Sequence, residues 1–148
     1  MKRFRFNLEK VLELRQHRED EAKNELGRAI SILTAIENNI KQNALVHSRA
    51  VQQRFTGLAD IGMANGIAAA SMLAWDSYIL RLEQEAERLM REAAQAEMVV
   101  EEKRNLYLEA SRELKVMEKL REKREVEYRK EFFAAETREL DDIRRVKR

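Results

Sequence analysis

Two histidines are the residues best suited to acid–base or metal chemistry in this chain, which has no cysteine. Histidine can move a proton near neutral pH and often ligates metals. His17 and His47 lie thirty residues apart in a segment with helical periodicity, which separates them by roughly 45 Å. They cannot share a metal ion or relay a proton, and we interpret His47 as a polar residue within a helix–helix seam.

One pair of glycines imitates a phosphate-binding loop. Gly57 and Gly62 have the right spacing, but Met63 and Ala64 stand where a lysine and a serine or threonine are needed. Without the lysine, no positive charge would face a phosphate. The many carboxylates follow the spacing of helical ion pairs. The sequence therefore predicts no catalytic residues, no cofactor and no metal site.

The composition is typical of long helices or a coiled coil. Of the 148 residues, 38% are charged, only 6% are aromatic and none is proline. The 29 lysines and arginines against 27 acidic residues give a net charge of +2, which argues against a nucleic-acid-binding protein with a one-sided basic face. No apolar run is long and unbroken enough to span a bilayer. We expect a soluble, cytoplasmic protein without membrane insertion.

A cluster of glycines predicts a bend in the chain. Three of the four glycines lie between Gly57 and Gly66. Each glycine costs a helix about 1 kcal/mol relative to alanine. We therefore predict one domain (residues 1–148) in which helix 1 covers about 8–55, the bend about 56–70 and helix 2 about 71–146.

Both predicted helices carry a seam of positions spaced alternately by three and four residues, as in a coiled coil. The seam of helix 1 comprises Leu8, Leu12, Arg15, Glu19, Ala22, Leu26, Ala29, Leu33, Ile36, Ile40, Asn43, His47, Ala50 and Arg54. The seam of helix 2 comprises Met72, Trp75, Ile79, Leu82, Ala86, Leu89, Ala93, Ala96, Val100, Lys103, Tyr107, Ala110, Leu114 and Met117. Beyond Met117 the frame selects Arg121, Arg124 and Glu131, so the repeat stops there.

These seams predict an all-α fold, an elongated two-helix antiparallel coiled-coil hairpin that is monomeric on its own. Leu8 would face Met117, because the seam of helix 2 ends where helix 1 ends. Residues 118–146 would then extend beyond helix 1 as a C-terminal helical overhang.

Two apolar groups lie off the regular seam or near its ends. The group beside the bend, Val51, Phe55, Tyr78 and Leu82, either binds a partner or caps the coiled coil. The second group lies on the overhang, with nothing in the chain to cover it. It comprises Tyr128, Phe132, Phe133, Leu140, Ile143 and Val146. Exposed apolar stripes on a lone helix indicate a partner, and the alternative is a frayed, charged tail.

Three blocks, in order, resemble the FliJ family of the bacterial flagellar type III export apparatus. The first is Phe4-x-Phe6-x-Leu8-x-x-Val11-Leu12-x-Leu14-Arg15. The second is Asn65-Gly66-Ile67 followed by Trp75-x-x-Tyr78-Ile79-x-x-Leu82-Glu83. The third is Lys115-x-x-Glu118-Lys119-Leu120-x-Glu122-Lys123-Arg124 with Tyr128, then Glu136-x-x-Glu139-Leu140-Asp141.

The resemblance implies a non-enzymatic stalk. Members are similar in architecture to the central stalk of rotary ATP synthases and are thought to insert the end that bears both termini into the ring of the export ATPase FliI. They also contact the membrane export gate FlhA, and some escort empty export chaperones. The implied location is cytoplasmic, peripheral to the inner face of the cytoplasmic membrane at the export apparatus.

The resemblance also implies contact residues. The contact with the gate would involve Phe55, Tyr78 and Leu82. The contact with the ATPase ring would involve Leu8, Leu12, Arg15, Lys119, Leu120, Arg124, Tyr128, Phe132, Leu140 and Asp141. Two alternatives remain open, an equivalent stalk of a virulence injectisome and a general coiled-coil adaptor or scaffold. A stable dimer in sedimentation would favour the scaffold.

Overall fold

The computed structural model of the chain describes residues 3–60 and 67–147, and of residues 58–60, 67 and 68 it describes the backbone alone. Two helices make up nearly all of this, α1 (Glu9–Asp60) and α2 (Ile67–Val146). They pack against each other, and the described residues contain no strand. The predicted all-α two-helix hairpin is confirmed.

The helix ends differ from the predicted ones. Helix α1 continues through Gly57, which was expected in the bend, and α2 begins at Ile67 rather than near Ser71. One glycine costs only about 1 kcal/mol in a helix, which good helix formers beside it can offset. Residues 61–66 of the predicted bend, with Gly62 and Gly66, lie outside the described residues.

The burial pattern follows the predicted seams. Every seam residue except Leu8 is buried or half-buried, whereas Arg121, Arg124 and Glu131 are exposed. The heptad repeat therefore ends at Met117, as predicted. Two stripes spaced at about 3.5 residues keep one side of each helix against the other, and among the described residues every buried side chain belongs to these stripes.

The chain divides into two compact units, and both helices contribute to each. Unit 1 comprises Met1–Asn24 and Arg104–Arg148. Its core is a cluster of Leu12, Leu114 and Met117, against which Phe6 and Leu120 pack. The Arg15 guanidinium donates to the Glu113 carbonyl oxygen at 3.1 Å. A seam arginine thus keeps its charge at the edge of the cluster, where its guanidinium donates to the backbone of the facing helix.

Unit 2 comprises Glu25–Lys103. Its buried residues are Ala29, Ala50, Leu89 and Val100. The two alanines belong to α1 and the larger Leu89 and Val100 to α2, and combining small with large side chains allows two helices to pack closely.

Two charged seam residues in unit 2 form ion pairs between the helices, and a seam histidine lies close to a carboxylate of the other helix. The Lys103 ammonium lies 2.9 Å from the Glu25 carboxylate, His47 lies 3.3 Å from Glu83, and Arg54 lies 2.6 Å from Asp76. The hydrogen bond between Lys103 and Glu25, followed by their charge attraction, raises the pKa of Lys103 and lowers that of Glu25. A lysine is tolerated in the seam because its long stem reaches a carboxylate at the edge.

Candidate partner-binding surfaces

The N-terminal segment before α1 covers the first part of the predicted overhang. The Phe4 ring lies 5.5 Å from the Tyr128 ring, and Phe6 packs against the core cluster of unit 1. Glu9 pairs with Arg121 at 3.3 Å. The expectation that nothing in the chain covers Tyr128 is therefore wrong, because a non-helical segment reaches further along α2 than a helix of the same length.

This segment and α2 enclose a groove of about 460 Å³, which we call the strap groove. Its lining comprises Phe4, Arg5, Phe6, Asn7, Leu8, Leu120, Arg124, Glu127, Tyr128 and Glu131. Four predicted ring-contact residues, Leu8, Leu120, Arg124 and Tyr128, therefore lie together. Phe4 and Phe6 were not among the predicted contacts, although their alternation just before the helix was visible in the sequence.

The other predicted ring-contact residues differ in whether they make contacts within the hairpin. Leu12 is 8% exposed and belongs to the core cluster, and Arg15 donates to a backbone carbonyl. Lys119 and Asp141 are exposed, whereas Phe132 is half-buried with its ring 6.4 Å from Tyr128 and 5.8 Å from Phe133. Leu12 and Arg15 thus shape unit 1 rather than offer a free contact.

Beyond Phe132, α2 displays apolar side chains to solvent. Phe133 is 64% exposed, Leu140 57%, Ile143 54% and Val146 86%. The spacing of seven and then three residues places Phe133, Leu140 and Ile143 on one side of the helix. These four residues, which we call the terminal surface, belong to unit 1.

In unit 2 the predicted gate-contact residues have three different environments. Tyr78 is half-buried in a groove of about 570 Å³, which we call the Trp75 groove. Leu82 is half-buried at a seam position. Phe55 is 75% exposed and lies outside the lining of the groove. Of the three, Tyr78 and Phe55 are available to a partner, whereas Leu82 packs within the hairpin.

The Trp75 groove has an apolar floor and a basic rim. Its lining comprises Val46, Arg49, Ala50, Gln53, Ser71, Ala74, Trp75, Tyr78 and Arg81. The rings of Trp75 and Tyr78 meet edge to face at 6.0 Å, and the Arg81 guanidinium lies 5.9 Å from the centre of the Tyr78 ring. Sequence reasoning missed Arg49 and Arg81, which are next to seam residues and differ little from other charged positions.

The described residues do not meet the requirements of a metal site built from three or more side chains or of a membrane-spanning helix. No group of three or more histidine or acidic side chains among them could hold a metal ion. None of the helices in this part of the chain is long and apolar enough to cross a membrane.

Two packed helices with exposed apolar residues on both units define a helical-hairpin protein. The sequence model described as "Flagellar FliJ protein" matches residues 4–147, nearly the whole chain. The chain belongs to the FliJ family, which comprises structural, chaperone-like components related to flagellar export and is not a known enzyme family. Searches of curated proteins and of solved structures found no match.

Proposed function

We propose that this chain is the coiled-coil stalk of the flagellar export apparatus. In this proposal unit 1 binds the ring of the export ATPase FliI and unit 2 binds the export gate FlhA at the inner face of the cytoplasmic membrane. ATP turnover in the ring then biases gate opening through a stiff helical pair. The proposal includes escort of empty export chaperones, which the family resemblance implies.

The observation that carries the proposal is the terminal surface. Phe133, Leu140 and Ile143 share one side of α2, and each is more than half exposed. Burying such side chains on a partner contributes about 25 cal/mol per Å² of apolar area. An amphipathic helix without a neighbour is a common way to enter a groove on another protein.

Truncating the terminal surface tests the ring assignment. We expect Phe133→Ala with Leu140→Ala to reduce retention of the export ATPase in a pull-down by at least about tenfold, which corresponds to about 1.4 kcal/mol. The matched control is Met90→Ala with Met98→Ala, because both methionines are exposed apolar residues of unit 2. ATPase retention that is equal for the two double variants would refute the assignment.

A further inference from the structure

We propose that the Trp75 groove binds an acidic peptide segment of the export gate, in which one large apolar side chain is flanked by carboxylates. The inference rests on the proposed function, since it names the chemistry of the gate segment that unit 2 would bind. Three observations support it, namely the shape of the groove, the charge of its rim and the distribution of acidic residues around it.

The shape suits a single large side chain. The apolar part of its lining includes Ala50 and Ala74 together with the half-buried Trp75 and Tyr78. Two alanines leave space beside two aromatic rings, and the volume of about 570 Å³ is within the range of pockets that bind small ligands. An aromatic or long aliphatic side chain would cover the half-buried Trp75.

The rim provides two guanidinium groups from different helices. Arg49 comes from α1 and Arg81 from α2, and both are exposed. Neither forms an ion pair with any residue in the part of the chain that the structure describes, whereas Arg54 nearby is paired with Asp76. Two arginines that are not neutralised within the hairpin can each form a charge-assisted hydrogen bond with a carboxylate.

The sequence around the groove is depleted of competing acidic groups. No aspartate or glutamate occurs from Asn38 to Ala59, although acidic residues are frequent in the rest of α1. On α2 the carboxylates nearest in sequence are Asp76, which is paired with Arg54, and Glu83, which lies 3.3 Å from His47. The groove is therefore locally basic in a protein that is nearly neutral, and it should attract acidic partners.

Trp75 is the only tryptophan in the chain, so its fluorescence reports directly on the groove. The probe is a short, capped peptide with one phenylalanine between two pairs of glutamates, and its partner peptide has glutamines in place of the glutamates. We expect the full chain to bind the glutamate peptide at least about tenfold more tightly than the glutamine peptide. The difference should shrink as salt is raised from about 0.05 to 0.3 M, because the charges are solvent-exposed.

Charge reversal at the rim provides the second part of the test. Arg49→Glu with Arg81→Glu should abolish the preference for the glutamate peptide. The matched control, Arg28→Glu with Arg91→Glu, makes the same change in net charge at two other exposed arginines, one on each helix of unit 2. It should keep the preference within about twofold, and circular dichroism should show equal helicity for both variants. Equal affinity for the two peptides, no fluorescence response to either, or an equal effect of both double variants would overturn the inference.

A pull-down with the cytoplasmic region of the export gate separates this inference from the proposed function. If the gate is retained equally by the wild-type chain and the Arg49→Glu, Arg81→Glu variant, the groove assignment fails while gate binding stands. If the wild-type chain does not retain the gate but prefers the glutamate peptide, the gate assignment fails and the chemistry of the groove stands.

Discussion

Leu12 and Leu14 lie two residues apart on α1 and meet opposite surroundings. Leu12 is 8% exposed within the core cluster of unit 1, whereas Leu14 is 49% exposed. The difference follows from the 3.6-residue period of the helix, which turns neighbouring positions away from each other. Residue identity alone cannot distinguish them, but the heptad frame can.

Replacing each of these two leucines by alanine tests whether the seam has been assigned to the correct residues. We expect Leu12→Ala to lower the free energy of unfolding by about 2 kcal/mol, the lower end for a buried leucine, because the cluster is narrow and can partly close. Leu14→Ala should change it by no more than about 0.5 kcal/mol. Denaturant titrations followed by circular dichroism measure both values, and equal losses would contradict the assigned seam.

The contact residues implied by the resemblance are of two kinds. Some pack within the hairpin, and others are exposed and can touch a partner. Leu12, Leu120 and Leu82 pack within the hairpin, whereas Phe55, Leu140 and Lys119 are exposed. A family motif includes both kinds, because residues that hold a surface in place are part of the same pattern as residues that touch the partner. The heptad frame already places Leu12 and Leu82 in the seam, whereas the packing of Leu120 follows only from the structure.

Helix α1 contains a glycine far from any turn. Gly27 lies in the middle of the helix, and a Cβ atom built on it meets no neighbouring atom within 4 Å. Its backbone does not have a positive φ. Gly27 therefore lowers the stability of the helix through the conformational entropy of glycine, and no close packing contact requires a glycine there.

Replacing this glycine measures the intrinsic contribution of helix propensity. We expect Gly27→Ala to raise the free energy of unfolding by about 0.5–1 kcal/mol. The reciprocal control is Ala35→Gly, an exposed position of the same helix that should lose a similar amount. Destabilisation by Gly27→Ala in thermal melts would show that the helix is distorted or crowded there.

At the scale of the helices, periodicity allowed both seams and the end of the repeat at Met117 to be predicted from the sequence. Two features were not predictable in this way. The segment Phe4–Leu8 is not helical, so no period indicates where it packs, and its contact with Tyr128 depends on tertiary structure. The continuation of α1 through Gly57 depends on a balance of about 1 kcal/mol, which local sequence does not decide.

For the molecule as a whole, the proposed stalk with two partners is supported by membership of the FliJ family and by the two kinds of exposed surface. Unit 1 has the terminal surface, whose apolar side chains are exposed along one side of α2. Unit 2 has the Trp75 groove, with an apolar floor and a basic rim. Different chemistry on the two units suits the binding of two different partners, because each surface can then favour one partner over the other.

A bridging pull-down tests this central claim most directly. The cytoplasmic region of the export gate is immobilised, and retention of the export ATPase is measured with and without this chain. We predict that the ATPase is retained only when the chain is present, and that Phe133→Ala with Leu140→Ala removes the ATPase while the chain itself stays on the gate. Equal ATPase retention without the chain, or no ATPase retention with it, would contradict the account.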